Sequence, residues 1–266
     1  MKGSLPKQSM GNPTNKSGAK SSKATPVIFC DFDGTITQQD VTDQVLAQFA
    51  HPSWREIEQE WARGSIGSRE CLLRQMALVD ASETELDALI DAIPLDPGFP
   101  RFLRWLEKSA WPFYVVSDGF DYIIRRILKR AGVNGQLRNG INLFANTLAI
   151  DGRRAKISFP NLSAGCEHGC ATCKSEIIER LRPNHGPVIF VGDGLSDRFA
   201  VEQADLTLAK HQLHAYCREK DIPCVAIETF DDVIPVLEKF TESGPARGVR
   251  KTGTKARRRV EVPAMD

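Results

Sequence analysis

The 266-residue sequence lacks any long apolar run. The basic residues near its start are not followed by the roughly 7-to-15-residue apolar run of a signal peptide, and no segment approaches the about 20 apolar residues that a membrane-spanning helix needs. The sequence therefore predicts a cytoplasmic protein without a membrane partner.

An excess of charge of one sign is also lacking, because the formal net charge is only +1. Basic residues are concentrated at the two ends: residues 1–25 carry five lysines and no acidic residue, and residues 241–266 carry seven lysines and arginines. The intervening body is acidic, which argues against a core that binds nucleic acid. Both ends lack apolar periodicity, so we predict two disordered basic tails, 1–25 and 241–266.

The seven cysteines are an odd number, which argues against a disulfide framework in a chain with no predicted signal peptide. Cys166, Cys170 and Cys173 lie close together in sequence, with His168 among them. Three thiols and one imidazole could bind Zn²⁺, but this spacing differs from that of the usual paired knuckles. We therefore expect a reduced cysteine loop without zinc.

Three short apolar runs, at residues 26–30, 112–116 and 187–191, each stop at a polar turn. Such runs are typical of buried strands in a parallel sheet. Helical periodicity follows these runs, at residues 98–109, 120–131, 174–181 and 197–203. The alternation predicts an α/β protein with a doubly wound parallel sheet.

Further strands are predicted in the second half of the chain. Residues 144–150 and 155–159 flank the dipeptide Asp151-Gly152, which is a strong hairpin signal. Residues 206–209 and 225–227 are two later strand candidates.

No strand candidate is found between residues 40 and 95. Apolar residues recur there with helical spacing in four segments, 41–49, 54–61, 69–79 and 83–93. We predict a small helical cap over 40–95, inserted into a catalytic core made of 26–39 and 96–240. Its attachment beside the first strand end makes it a candidate lid.

Acidic residues follow two of the three buried strands. Asp31 and Asp33 follow the first, in the sequence Asp-Phe-Asp-Gly-Thr, and Asp193 and Asp197 follow the third, in Gly-Asp-Gly-Leu-Ser-Asp. In open α/β sheets the ligand crevice lies outside these strand ends. Buried carboxylates this close together need a cation, and carboxylate oxygens suit Mg²⁺. We therefore predict one Mg²⁺ site at Asp31, Asp33, Asp193 and Asp197.

Hydrogen-bond donors for an anion follow the second strand and begin a later helix. The Ser117 hydroxyl and the neighbouring backbone N–H groups can donate to phosphate oxygens. Lys174 begins a helix, whose N-terminus favours an anion, and its ammonium can neutralise a phosphoryl group. The predicted phosphate-binding residues are Ser117, Asp118, Gly119 and Lys174.

The order strand–Asp-x-Asp-Gly-Thr, strand–Ser, helix–Lys, strand–Gly-Asp-Gly-x-x-Asp resembles the haloacid dehalogenase-like hydrolase superfamily, over about residues 26–235. It is similar in particular to the phosphatases with a helical cap between the first two motifs. The resemblance implies that Asp31 is the nucleophile, which forms an aspartyl-phosphate, and that Asp33 is the general acid and then the base. It further implies that Asp33 offers its carbonyl to the metal and that Asp197 orders the metal's waters or Lys174.

Within the superfamily, Phe144-Ala145-Asn146 and the segment 116–121 are similar to the MtnX-like phosphatases of methionine salvage. That similarity implies a phosphorylated keto-enol substrate. Phosphoserine phosphatases are the next most similar, but their cap arginine, which binds the substrate carboxylate, corresponds to Gln75 here. This loss disfavours an amino-acid carboxylate. We expect substrate specificity to come from Asp40, Arg69, Arg74 and Gln75, although each could equally be a solvated helix residue.

Other functions remain open at this point. Phosphoserine, phosphocholine or phosphoethanolamine could be the substrate, and a phosphotransferase would use the same aspartyl-phosphate. A hydrolytic dehalogenase would not require Asp193 and Asp197. A binding module on a decayed fold would be expected to lack a site residue, and none is missing. The sequence thus favours a Mg²⁺-dependent phosphatase of a small metabolite.

Overall fold

A computed structural model describes residues 25–133, 142–182 and 186–243, with side chains described up to residue 240. The predicted tails, 1–25 and 241–266, lie outside this part of the chain apart from Thr25 and residues 241–243. The last helix continues to Ser243, so the predicted start of the second tail falls inside a helix.

The described residues form one seven-stranded sheet with the order β4-β3-β2-β1-β5-β6-β7. Neighbouring strands are parallel except for the β3–β4 hairpin, in which Asp151 pairs with Arg154. The strands are β1 (Val27–Cys30), β2 (Phe113–Phe120), β3 (Asn142–Asp151), β4 (Arg154–Ser158), β5 (Val188–Gly192), β6 (Leu206–Ala209) and β7 (Val225–Ala226). The predicted sheet and hairpin are confirmed.

Helices pack on both faces of this sheet. The α-helices are α1 (Val41–Phe49), α2 (Trp54–Ala62), α3 (Ser68–Met76), α4 (Glu83–Ile90), α5 (Phe99–Ser109), α6 (Asp121–Arg130), α7 (Lys174–Leu181), α8 (His211–Glu219) and α9 (Phe230–Ser243). All four residues of β1 are fully buried. Val27 and Phe29 belong to the apolar cluster that includes α7 and α8, whereas Ile28 and Cys30 belong to the one that includes α5, α6 and α9. This two-sided burial explains the continuous apolar run of the central strand.

Helices α1 to α4 lie between β1 and α5 in the chain. The carboxylate of Asp40 accepts a hydrogen bond from the Asp43 amide and so caps the start of α1. The two segments that join the insertion to the core run side by side. The backbone amide of Gln38 donates to the Pro94 carbonyl at 3.1 Å, and the backbone amide of Asp96 donates to the Ile36 carbonyl at 2.8 Å. The insertion therefore leaves the core and returns to it at one place.

One predicted helix is wrong, and two helices were missed. Residues 197–203 do not form an α-helix but contribute to two 3₁₀ turns, Leu195–Asp197 and Val201–Gln203. The reason is that the Asp197 carboxylate accepts hydrogen bonds from the Asp193 and Gly194 amides, which ties this segment into a tight loop. Helices α8 and α9 were not predicted.

Within the described ranges, no helix is long and apolar enough to cross a membrane.

Candidate active site

Three acidic side chains meet at the ends of β1 and β5. These strands are parallel neighbours with Cys30 opposite Val191, so the residues that follow them lie side by side. One carboxylate oxygen from each of Asp31, Asp193 and Asp197 lies within 4.8 Å of the other two. Sequence reasoning named all three as metal ligands, and the structure brings them together.

The surroundings of Asp193 fix its carboxylate against the turn after β1. The Thr35 hydroxyl donates to Asp193 Oδ1 at 2.9 Å. Gly34 has a φ of 69°, and a Cβ at this position would lie 2.3 Å from Asp193 Oδ2, so only glycine fits here.

The three carboxylates can hold a metal ion. Burial, followed by the charge of Asp31, raises the pKa of Asp193 to about 8 and that of Asp197 to about 7. A divalent cation relieves this mutual repulsion and favours the ionised forms. A buried set of carboxylate oxygens fits a hard cation such as Mg²⁺.

Lys174 is the cation of the site, at the first residue of α7, and it is only 3% exposed. Its Nζ atom lies 2.8 Å from Asp31 Oδ1 and 2.6 Å from Asp197 Oδ1. Burial lowers the pKa of Lys174, but Asp197 and Asp31 outweigh burial and hold that pKa well above its ordinary value. Lys174 is therefore an ammonium. Asp31 Oδ1 makes this ion pair but no hydrogen bond within the described residues.

Asp33 lies beside this group but is not part of the three-carboxylate set. Its Oδ1 atom accepts a hydrogen bond from the Val41 amide at the start of the cap. A Cβ at Gly119 would lie 2.3 Å from Asp33 Oδ2, so glycine permits this close approach. Burial, followed by the charges of Asp40 and Asp31, raises the pKa of Asp33 well above its usual range. Asp33 is thus suited to carry a proton next to the carboxylates.

The predicted phosphate-binding segment is a bulge in β2. Pairing with β3 shifts register between Val116 and Phe120, and the intervening residues line the cleft next to Asp31. The Gly119 amide already donates to the Ser117 hydroxyl at 2.9 Å. The Asp118 carboxylate accepts a hydrogen bond from the Thr172 amide at 2.8 Å, which joins the bulge to the loop before Lys174. Asp118 therefore braces the site through its side chain.

An open cleft of about 550 Å³ separates the insertion from the core at this point. Its floor contains Asp31, Asp33, Ser117, Asp118, Gly119 and Ser196, and its opposite wall contains Asp40, Thr42, Asp43, Glu58, Trp61, Ser68, Cys71, Leu72 and Gln75. The insertion thus supplies one whole wall of the cleft.

Only two of the four predicted specificity residues, Asp40 and Gln75, lie on this wall. The prediction for Arg74 is corrected, because its guanidinium makes two hydrogen bonds to Glu60, at 2.6 and 2.8 Å, on the exposed side of the insertion. The prediction for Arg69 is corrected as well, because this residue is exposed outside the cleft and its backbone amide donates to the Gly169 carbonyl.

Several cleft residues were missed by sequence reasoning, and Glu58 and Trp61 are the most informative. They lie three residues apart on α2, close to the buried Trp54 and Ile57 of the same helix. This helical spacing was the available signal. It does not reveal which part of the helix faces a cleft, because that depends on contacts with distant parts of the chain.

The cysteine loop docks against the insertion. The Ala171 amide donates to the Ser68 hydroxyl at 2.9 Å, and the His168 ring stacks on Phe199 with 3.7 Å between ring centroids. The Cys166 side chain contacts the thiols of Cys170 and Cys173. Within the described ranges, however, the only three-ligand group that meets the 4.8 Å distance is the acidic one.

Comparison with known proteins gives concordant results. The model of the haloacid dehalogenase-like hydrolase family matches residues 28–202. The 2-hydroxy-3-keto-5-methylthiopentenyl-1-phosphate phosphatase of Geobacillus kaustophilus is 30% identical over 217 residues, which cover 80% of this chain and 96% of that protein. The bifunctional enzyme MtnB/MtnX of Bacillus licheniformis is 32% identical over 82% of this chain, which spans only 50% of that longer protein.

Solved structures share the fold. A phosphoserine phosphatase, described as a phospho-aspartyl intermediate analogue, aligns with a TM-score of 0.62 at 22% identity over 80% of this chain and 99% of that one. A phosphoserine phosphohydrolase-like protein from Francisella tularensis aligns with a TM-score of 0.59 at 18% identity over 80% and 99%. The chain therefore belongs to the haloacid dehalogenase-like hydrolase family and is a phosphatase of that family.

Proposed function

We propose that this chain is a Mg²⁺-dependent phosphatase that passes the phosphoryl group of a small ester first to Asp31 and then to water. The observation that carries the proposal is the ion pair between Asp31 and Lys174 beside the acidic group of Asp193 and Asp197. In this proposal Asp31 is the nucleophile, Lys174 is a fixed positive charge beside it, and Asp31, Asp193 and Asp197 are the candidate metal ligands.

In the first step, an Asp31 oxygen attacks phosphorus and the bond from phosphorus to the leaving oxygen breaks. The Lys174 ammonium orients Asp31 and neutralises charge on the phosphoryl oxygens. The Ser117 hydroxyl and the neighbouring backbone amides bind those oxygens. Bound Mg²⁺, held by Asp31, Asp193 and the Asp33 carbonyl, would stabilise the remaining negative charge.

Asp33 handles the proton in both steps. Its pKa is raised by burial and by the charges of Asp40 and Asp31, which favours the protonated form that donates to the leaving oxygen. In the second step, ionised Asp33 takes a proton from water, which attacks the aspartyl-phosphate. The bond between Asp31 and phosphorus then breaks, and inorganic phosphate leaves.

The leading substrate is the ester that names the relatives, 2-hydroxy-3-keto-5-methylthiopentenyl-1-phosphate. Two features of the cleft support this choice. The name describes a leaving group without a carboxylate, and none of the described cleft residues is a lysine or arginine that would pair with one. Trp61 and Leu72 offer apolar surface to a short thioether chain.

The test is the substitution Asp31→Asn, assayed by release of inorganic phosphate with Mg²⁺ and with a chelator. We expect turnover to fall by at least about 10⁴-fold, because an amide cannot act as the nucleophile. The matched control is Asp151→Asn, which alters an exposed carboxylate in the β3–β4 turn and should leave turnover unchanged. Retained turnover in Asp31→Asn, or equal rates with and without Mg²⁺, would contradict the proposal.

A further inference from the structure

The cap wall of the cleft holds one carboxylate in a fixed position. Gln75, on α3, is 2% exposed, and its Nε2 atom donates to Glu58 Oε2 at 2.8 Å. The Cys71 thiol donates to the same oxygen at 3.8 Å. Both contacts engage Oε2, so Oε1 is the Glu58 atom left for a ligand in the cleft.

The charge of this wall has one sign. Asp40 and Asp43 line the cleft together with Glu58, and no described residue of the lining is Lys, Arg or His. The neighbouring Arg74 is paired with Glu60 outside the cleft. Burial, with a contribution from Asp43, raises the pKa of Glu58. A carboxylate on the substrate would meet like charge here, whereas a hydrogen-bond donor would be accepted.

Apolar surface lies next to this carboxylate. Trp61 and Leu72 line the same wall, and Cys71 and Leu72 are buried. The wall therefore combines an acceptor with a surface for a short carbon chain. Among its described residues, the lining offers no cation to pair with the carboxylate of an amino-acid phosphate.

We infer that Glu58, positioned by Gln75, selects the leaving group. It accepts a hydrogen bond from a hydroxyl or an ammonium group on the short carbon chain of the ester, and it rejects leaving groups that carry a carboxylate. This inference rests on the proposed phosphatase function and names the substrate class of that site.

Four esters that differ by one group at a time test the inference. Ethyl phosphate has no donor, ethylene glycol monophosphate adds a hydroxyl, phosphoethanolamine carries an ammonium instead, and phosphoserine is phosphoethanolamine with a carboxylate. For the wild-type protein with Mg²⁺, we expect kcat/KM to be about tenfold higher for at least one donor-bearing ester than for ethyl phosphate. We also expect it to be about tenfold or more lower for phosphoserine than for phosphoethanolamine. The hydroxyl and ammonium esters distinguish the two sources of the donor.

Glu58→Gln keeps the size of the side chain and removes its charge. It should reduce both ratios to within about threefold. Glu60→Gln is the matched control, because this glutamate lies two residues further on α2 and pairs with Arg74 outside the cleft. It should leave both ratios at the wild-type values.

The inference is overturned if Glu58→Gln leaves both ratios unchanged, or if the wild-type protein hydrolyses phosphoserine as well as phosphoethanolamine. Failure of the proposed function looks different, because no ester, including ethyl phosphate, would then release phosphate in any variant. Matching circular dichroism spectra for the variants exclude unfolding as the cause of a changed ratio.

Discussion

The ion pairs Lys174–Asp197 in the core and Arg74–Glu60 in the cap differ in their exposure to solvent. In the core, Lys174 and its partner Asp197 are 3% and 0% exposed at their side chains. In the cap, Arg74 and Glu60 are each 40% exposed. Buried pairs hold fixed positions in a low dielectric, whereas exposed pairs are screened by water and contribute little. In our proposal, the rigid core charges carry out the reaction and the inner wall of the cap selects the substrate.

A second buried ion pair, between Lys210 and Asp96, supports the site. The Lys210 Nζ atom lies 2.7 Å from Asp96 Oδ2 and 3.0 Å from the Thr35 carbonyl oxygen. The hydroxyl of Thr35 in turn donates to Asp193. Asp96 Oδ1 accepts a further hydrogen bond from the Phe230 amide at the start of α9. Lys210 thus links the turn that contacts Asp193 to the base of the cap.

The strongest test of the contrast is Lys210→Met. We expect the free energy of unfolding to fall by about 3–5 kcal/mol, because Asp96 would keep a buried charge without its partner. Urea denaturation measures this change. Lys220→Met removes an exposed lysine that pairs with Glu219 and should leave the unfolding midpoint nearly unchanged. Equal effects of the two substitutions would remove the distinction between buried and exposed pairs.

Gly67→Ala tests the contact between the cap and the cysteine loop of the core. A Cβ at Gly67 would lie 2.4 Å from the Gly169 carbonyl oxygen and 2.7 Å from that of His168, both of which are backbone atoms. We expect kcat/KM to fall about tenfold or more, because the cap wall would be displaced from the nucleophile.

The matched control for this substitution is Gly165→Ala in the same loop. A Cβ there meets nothing closer than the Ser163 hydroxyl at 4.0 Å, so activity should not change. Full activity of Gly67→Ala would show that the contact between the cap and the cysteine loop does not position the cleft.

The smallest effect is expected for Arg74→Ala. Its guanidinium contacts Glu60 and Glu70 on the exposed side of the cap, away from the cleft. We expect kcat/KM for every ester of the series to stay within about twofold of wild type and the unfolding midpoint to change little. A selective loss of activity towards phosphoserine would show that Arg74 contributes to substrate specificity. It would contradict the view that exposed ion pairs of the cap contribute little.

The core was more predictable from sequence than the cap wall. Buried strands are continuous apolar runs, and parallel strand ends meet at one edge, so the convergence of Asp31 and Asp193 follows from local patterns. The helices of the cap were also predictable from periodicity. Their mutual packing was not, because periodicity identifies an apolar face but not its neighbours. For this reason Arg74 was assigned to the cleft and Glu58 was overlooked.

Other features of the core also escaped sequence reasoning, and for two of them the reason is local. Helix α8 buries only Leu213 and Cys217, a stripe too narrow to stand out in the sequence. The segment 197–203 has apolar residues at helical spacing, but the Asp197 carboxylate accepts hydrogen bonds from the Asp193 and Gly194 amides and so fixes a loop. Such competition between side chain and backbone is not visible in hydrophobic periodicity.

The two segments that join the insertion to the core, at Gln38 and Asp96, have a consequence for how phosphatases of this family acquire new substrates. These two segments lie within hydrogen-bonding distance of each other. A short loop could therefore join them directly, and closing that loop would cost little conformational entropy. The core sheet can therefore accept an insertion of another size or shape at this point without altering its own strand register. New substrate ranges can arise by exchange of one contiguous segment, while the machinery for phosphoryl transfer stays as it is.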